Sequence, residues 1–208
     1  MKQLAFVSLL TVSTCLALAV PAAAAPHAQH SRVQGDTASA EFISYDASGC
    51  IYTGVFVFVS ESREHTQPGA PTDGGQVFAD ITRYDVCQGF ALVDALFGDA
   101  QIAPEEFQTS GNAQSATFHK TLVMSSFLTG NSTPVTFDLT WTGDGDPTTS
   151  HTHQVYSSPG LRFSASLHGT SRPATATGSI TDGTSQFAPL PSISASLNST
   201  TTGSVTLQ

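Results

Sequence analysis

From Glu41 onward, runs of β-branched and aromatic residues alternate with polar ones, and Gly, Pro, Asp and Asn separate the runs. A side-chain period of two is the mark of a strand with one face packed. The most regular case is Val135-Thr136-Phe137-Asp138-Leu139-Thr140-Trp141-Thr142, where apolar and polar positions alternate without a miss. Val135, Phe137, Leu139 and Trp141 are therefore expected in the core. Ile51 to Val59 (IYTGVFVFV) is apolar on both parities, which predicts a strand covered on both faces. Gln76 to Cys87 follows after the loop EHTQPGAPTDGG, whose Pro and Gly suit a long hairpin connection. Gly89 to Ile102 is bracketed by Gly89 and Gly98 and reads as a strand, and Ala103 to Gln108 as a short helix after Pro104. Ser115 to Phe127 is a strand with Phe118, Leu122 and Met124 on one face and His119 on the other. Short strands follow at Gln154 to Tyr156, Leu161 to Leu167, Ala174 to Ile180, Ile193 to Leu197 and Val205 to Leu207. The pattern predicts an all-β fold, an antiparallel β-sandwich or barrel-like domain with little helix.

The first residues follow another rule. Lys2 precedes an uncharged apolar stretch from Leu4 to Val20, then Pro21 and Ala22 to Ala25. A basic start, apolar core and small-residue exit make a secretory signal, with the cut placed among Ala22 to Ala24 because Pro26 disfavours one after Ala25. The apolar stretch falls short of the ~20 residues that span a bilayer, so no membrane span is expected after cleavage. Thr14 before Cys15 departs from a lipobox, which excludes a lipid anchor. The predicted organisation is a signal over 1–24, a flexible segment over 25–40 and a β-rich domain over 41–208, undivided or split into β subunits at 41–127 and 128–208. The protein is expected to be secreted, or periplasmic in a host with an outer membrane.

Charge narrows the partners. Without Lys2, 6 Lys+Arg face 16 Asp+Glu, a balance of 6 − 16 = −10. A chain this acidic cannot neutralise a row of phosphates, so nucleic acid is excluded, and anionic lipid is disfavoured. Once Cys15 leaves with the signal, Cys50 and Cys87 remain, an even pair in an oxidising compartment. They are expected to form a disulfide rather than a redox or metal motif.

Candidate chemistry centres on His151-Thr152-His153. In a strand both imidazoles point to one face, a common way to hold Zn or Cu, with Asp146 or His168 as a third ligand; Asp144 and His119 are further donors. Gly145 followed by five residues and His151-x-His153 resembles the opening of the cupin motif. That resemblance covers nine residues, and Ser157 and Ser158 stand where the motif's glutamate is expected. It implies a divalent metal held by the histidines. No catalytic residue and no organic cofactor are assigned: no Gly-x-Ser-x-Gly elbow marks a serine, and adjacent Glu105 and Glu106 read as a helix first turn, not an acid/base pair. Trp141 lies on the core parity, and Tyr45, Tyr52, Tyr84 and Tyr156 form no evident platform. The reading is a secreted, non-catalytic β protein that binds an extracellular ligand or protein partner. The alternative is a metal-binding β protein, an enzyme in its strongest form, centred on His151 and His153.

Overall fold

The computed structural model describes residues 30–67, 69–158, 161–183, 185–187 and 191–203. The expected signal over 1–24 and the expected strand at Val205 to Leu207 lie outside them. Ten strands succeed one another: β1 (His30–Tyr45), β2 (Ile51–Gln67), β3 (Thr72–Asp85), β4 (Ala91–Gln101), β5 (Phe107–Thr109), β6 (Ser115–Ser126), β7 (Ser132–Gly143), β8 (Thr148–Ser158), β9 (Leu161–Thr181) and β10 (Ser194–Gly203). Apart from a 3-10 turn at Gly111–Ala113, no helix occurs among the described residues. All pairings between strands are antiparallel.

The ring runs β10-β1-β2-β3-β4-β6-β7-β9 and returns to β10, so the sheet closes into a barrel. Closure leaves fewer unpaired edges than an open sheet would expose. One joint is weak: β4 meets β6 only at Leu96↔Ser126 and Phe97↔Ser125, and β5 covers part of the remaining β6 edge. Lys120 reaches Glu106 across this seam, with Nζ 2.6 Å from Oε2. The same side chain holds the Glu106 carboxyl below the usual glutamate range.

Alternation decides what fills the barrel. Phe42, Ala40 and Ala38 of β1, Val55, Val57 and Val59 of β2, and Val77, Ala79 and Ile81 of β3 all point inward. Across from them lie Phe118, Leu122 and Met124 of β6 and Val135, Phe137, Leu139 and Trp141 of β7. The expected β7 face is thus buried, and Asp138 and Thr140 are exposed. The Trp141 Nε1–H donates to the Ser39 carbonyl at 2.8 Å, satisfying the polar atom of a fully buried ring. At Gly178 the backbones of β7 and β9 approach so closely that a Cβ would strike the Asp138 carbonyl.

Several elements differ from the sequence expectation. Residues 30–40, expected to be flexible, form most of β1. Their backbone is paired on both sides, by β2 and β10, so the strand needs no apolar run of its own. The loop over EHTQPGAPTDGG is shorter than expected, because β2 and β3 continue with polar residues to Gln67 and from Thr72. Ala103 to Gln108 is a turn and the start of β5 rather than a helix: Glu106 N–H bonds the Ala103 carbonyl, and its carboxylate accepts from Ala103 N–H at 2.8 Å. The segments around Leu161 to Leu167 and Ala174 to Ile180 fuse into one 21-residue strand, which pairs β8 along one half and β7 along the other.

Candidate functional site

The inward parity of β1, β2 and β3 changes character at one end of the barrel. Beyond Ala38 the inward positions of β1 are Asp36 and Gln34, and beyond Val59 those of β2 are Glu61 and Arg63. Beyond Val77 those of β3 are Gly75 and Asp73. An apolar interior thus opens into a charged mouth. Here lies a cavity of about 300 Å3, walled on its far side by Ile102, Pro104 and Thr109. Barrel mouths are frequent ligand sites, and this volume suits a small molecule. Gly75 lets the Ile102 side chain lie directly against the β3 backbone, since a Cβ there would collide with it.

Two carboxylates define the chemistry. Asp36 and Glu61 are direct partners across the β1–β2 ladder. Like charges placed opposite each other in a sheet are destabilising. The Thr109 hydroxyl lies between them, 2.7 Å from Asp36 Oδ2 and 3.3 Å from Glu61 Oε1. Burial pushes the Glu61 carboxyl above the usual glutamate range, and neighbouring Asp36 adds to the shift. Arg63 offsets part of the upward shift of Glu61, but its guanidinium is hydrogen-bonded to Asp73 (Nε to Oδ1 2.8 Å, Nη2 to Oδ2 3.4 Å) and not to Asp36 or Glu61. Besides the Arg63–Asp73 pair, the mouth therefore carries two carboxyl groups with one hydroxyl donor between them.

The histidine pair sits elsewhere. His151 and His153 lie on one face of β8, an exposed strand that pairs with β9. His151 is opposite His168, and the rings stack at 4.2 Å with planes 23° apart. His153 is opposite Ser166. Among the described residues no group of three or more His, Cys, Asp or Glu side chains gathers as a metal-holding set. Asp144 accepts from the Thr175 hydroxyl at 2.6 Å, a contact that ties the turn after β7 to β9.

Cys50 and Cys87 form a disulfide that ties the start of β2 to the chain just after β3. Three of the four tyrosines cluster. Tyr45, Tyr52 and Tyr84 are register partners on three adjacent strands, with ring centroids 5.6 and 6.2 Å apart. Their common row becomes visible only once the β1–β2 turn and the long β2–β3 connection are in register. Nor is β2 covered on both faces: Val55, Val57 and Val59 are buried, whereas Phe56 points outward and is exposed. The carboxylate pair was missed because Asp36 lay in a segment expected to be flexible.

No family model matches the chain, and no curated protein matches it in sequence. Among solved structures, an enduracididine biosynthesis enzyme, MppR, in complex with the condensation product of pyruvate and imidazole 4-carboxaldehyde, aligns over 88% of each chain. Identity is 9% and the TM-score 0.26, a likeness that carries no argument about fold or activity.

Proposed function

We propose that this chain is an exported binding protein whose ligand enters the acidic mouth of the barrel. One observation carries the reading: inward positions that are apolar through the middle of β1, β2 and β3 turn polar together at one end, and they place Asp36 opposite Glu61 beside an open cavity. Packing alone gives no reason to keep two carboxyls side by side, and such perturbed groups in a cleft are a mark of function. The complementary ligand is a small organic cation bearing N–H donors. An alkylammonium would take the place of the missing counter-charge and supply hydrogen bonds to both carboxylates. Export is supported by the signal-like first residues and the Cys50–Cys87 bond. A thermal-shift panel of amines, guanidines and neutral polyols tests the ligand class. Amines such as 1,4-diaminobutane are expected to raise the Tm of the wild type and not of Asp36→Asn. Stabilisation by the polyols alone, or equal stabilisation of both proteins, would overturn the reading.

A second reading, a metal-binding β protein, is supported by the His151–His168 approach with His153 two residues on. Zn or Cu would then raise the Tm of the wild type, and His151→Ala would abolish the rise. Metal with no effect on the wild type would remove this reading and leave the first intact.

A further inference from the structure

The outer face of β1 to β4 carries successive rows of aromatic rings and carboxylates. One row across it is Tyr45-Tyr52-Tyr84, and two residues further along the strands another is Ile43-Gly54-Thr82. The next row is Glu41-Phe56-Asp80-Phe97. Gly54 gives this surface its shape: the Tyr52 ring lies along the strand over it, with the hydroxyl 3.1 Å from where a Cβ would stand. That direction carries the ring toward the Glu41–Asp80 row, and burial, with Glu41 adding to it, holds the Tyr52 phenol above its usual range. Tyr45 is 59% exposed, Phe78 41% and Phe97 43%, so the rings form a broad patch and not isolated outliers.

The charge on this patch has one sign. Glu41 and Asp80 flank Phe56 in a single row, and Asp99 stands opposite Phe78. No Lys or Arg occupies an outward-parity position of β1 to β4. Asp80 is half-buried among the rings, and no described side chain donates a hydrogen bond to it or pairs with it. A carboxylate that gives up water without gaining a donor is costly. Ring faces and carboxylates together are complementary to guanidinium and ammonium groups.

From this placement we propose that the outer face of β1 to β4 is a docking surface for a basic protein partner, engaged through Arg and Lys side chains. An outer face roughly 15 Å across, at ~4.8 Å per strand spacing, has no walls to hold a small ligand but suits a protein surface. Ring planes inclined at 72° and 45° make no even platform for a sugar chain. A second copy of this chain would bring two acidic faces together. The surface is separate from the mouth cavity, and its test is built to tell them apart.

The test is fluorescence anisotropy with a labelled nona-arginine peptide in buffer of about 0.15 M ionic strength, where long-range attraction is screened. Wild-type chain should bind, and Asp80→Asn and Tyr84→Ser should each weaken binding about tenfold. Tyr52→Phe, which keeps the ring, should bind like wild type. Asp138→Asn removes the same charge from the outer face of β7 and should change affinity less than about twofold, as should Asp36→Asn in the mouth. Thermal melts establish that each variant is folded. Equal losses from Asp138→Asn and Asp80→Asn would reduce the effect to net charge and overturn the proposal. So would a loss confined to Asp36→Asn, an absence of wild-type binding, or a concentration-dependent dimer that Asp80→Asn abolishes. Retention of the wild type on insoluble polysaccharide, lost in Tyr84→Ser, would equally overturn it.

Discussion

Glu61 is where local energetics and function separate most clearly. Burial raises its carboxyl, with Asp36 adding to the effect, so folding favours the protonated form. The stability this group contributes is present below the ordinary glutamate range and is lost as pH rises through the raised folded value. At neutral pH the ionised side chain therefore weakens the fold. Glu61→Gln is expected to raise the Tm at pH 7 by a few degrees, at about 2–4 °C per kcal/mol for a chain of this length. The advantage should shrink as pH falls toward ~4, where wild-type Glu61 is itself protonated. A calorimetric pH series on both proteins measures this, and a Glu61→Gln that is less stable at every pH would contradict it. Phe90 offers a second change at this scale. It is exposed and holds a φ of 63° directly after Gly89. Side chains avoid that region, so Phe90→Gly should stabilise by about 1 kcal/mol, read from a denaturant midpoint. Single residues were legible in the sequence where alternation was unbroken. Trp141 could be placed in the core from its neighbours alone, whereas Asp36 and the tyrosine row depend on partners far along the chain.

Among the elements, β7 was the most legible and the seam between β4 and β6 the least. Its regular alternation makes the expected asymmetry large. Phe137→Ala should cost about 3–5 kcal/mol and Thr140→Ala well under ~1 kcal/mol, both measured by chemical denaturation. Similar costs would mean that β7 does not present one face to the core. The seam depends on an ion pair that local patterns do not announce, since Glu106 lies in a turn and Lys120 sits among apolar inward positions of β6. Lys120→Ala leaves a half-buried carboxylate without its cation and should cost about 1–2 kcal/mol. Amide exchange in β5 and the facing part of β6 should quicken more than in β7. Uniform quickening would place the pair outside the seam's stability. Sequence also understated β1, β8 and β9, whose polar stretches are held by backbone pairing to neighbours on one or both sides. Composition speaks for side-chain burial and is silent about such ladders.

For the molecule as a whole, the sequence was sufficient for an all-β antiparallel fold but not for its closure. The ring depends on β10 pairing both β1 and β9, contacts between the two ends of the domain that no local signal specifies. Closure is also what creates the site. It fixes Asp36, Glu61, Arg63 and Asp73 around one opening and brings Thr109 from β5 to meet them. The mouth, the exposed aromatic face and the β8 histidines are thus different surfaces of one barrel, and each can be altered without touching the core. The central claim is that the acidic mouth is the ligand site. The most direct measurement is an amide-resolved NMR titration of the folded chain with 1,4-diaminobutane. Saturable shifts should concentrate at residues 34–36, 61–63, 73–75 and 102–111 and vanish in Asp36→Asn. Shifts spread evenly over acidic surface positions, or centred on β8 and unchanged in Asp36→Asn, would contradict it.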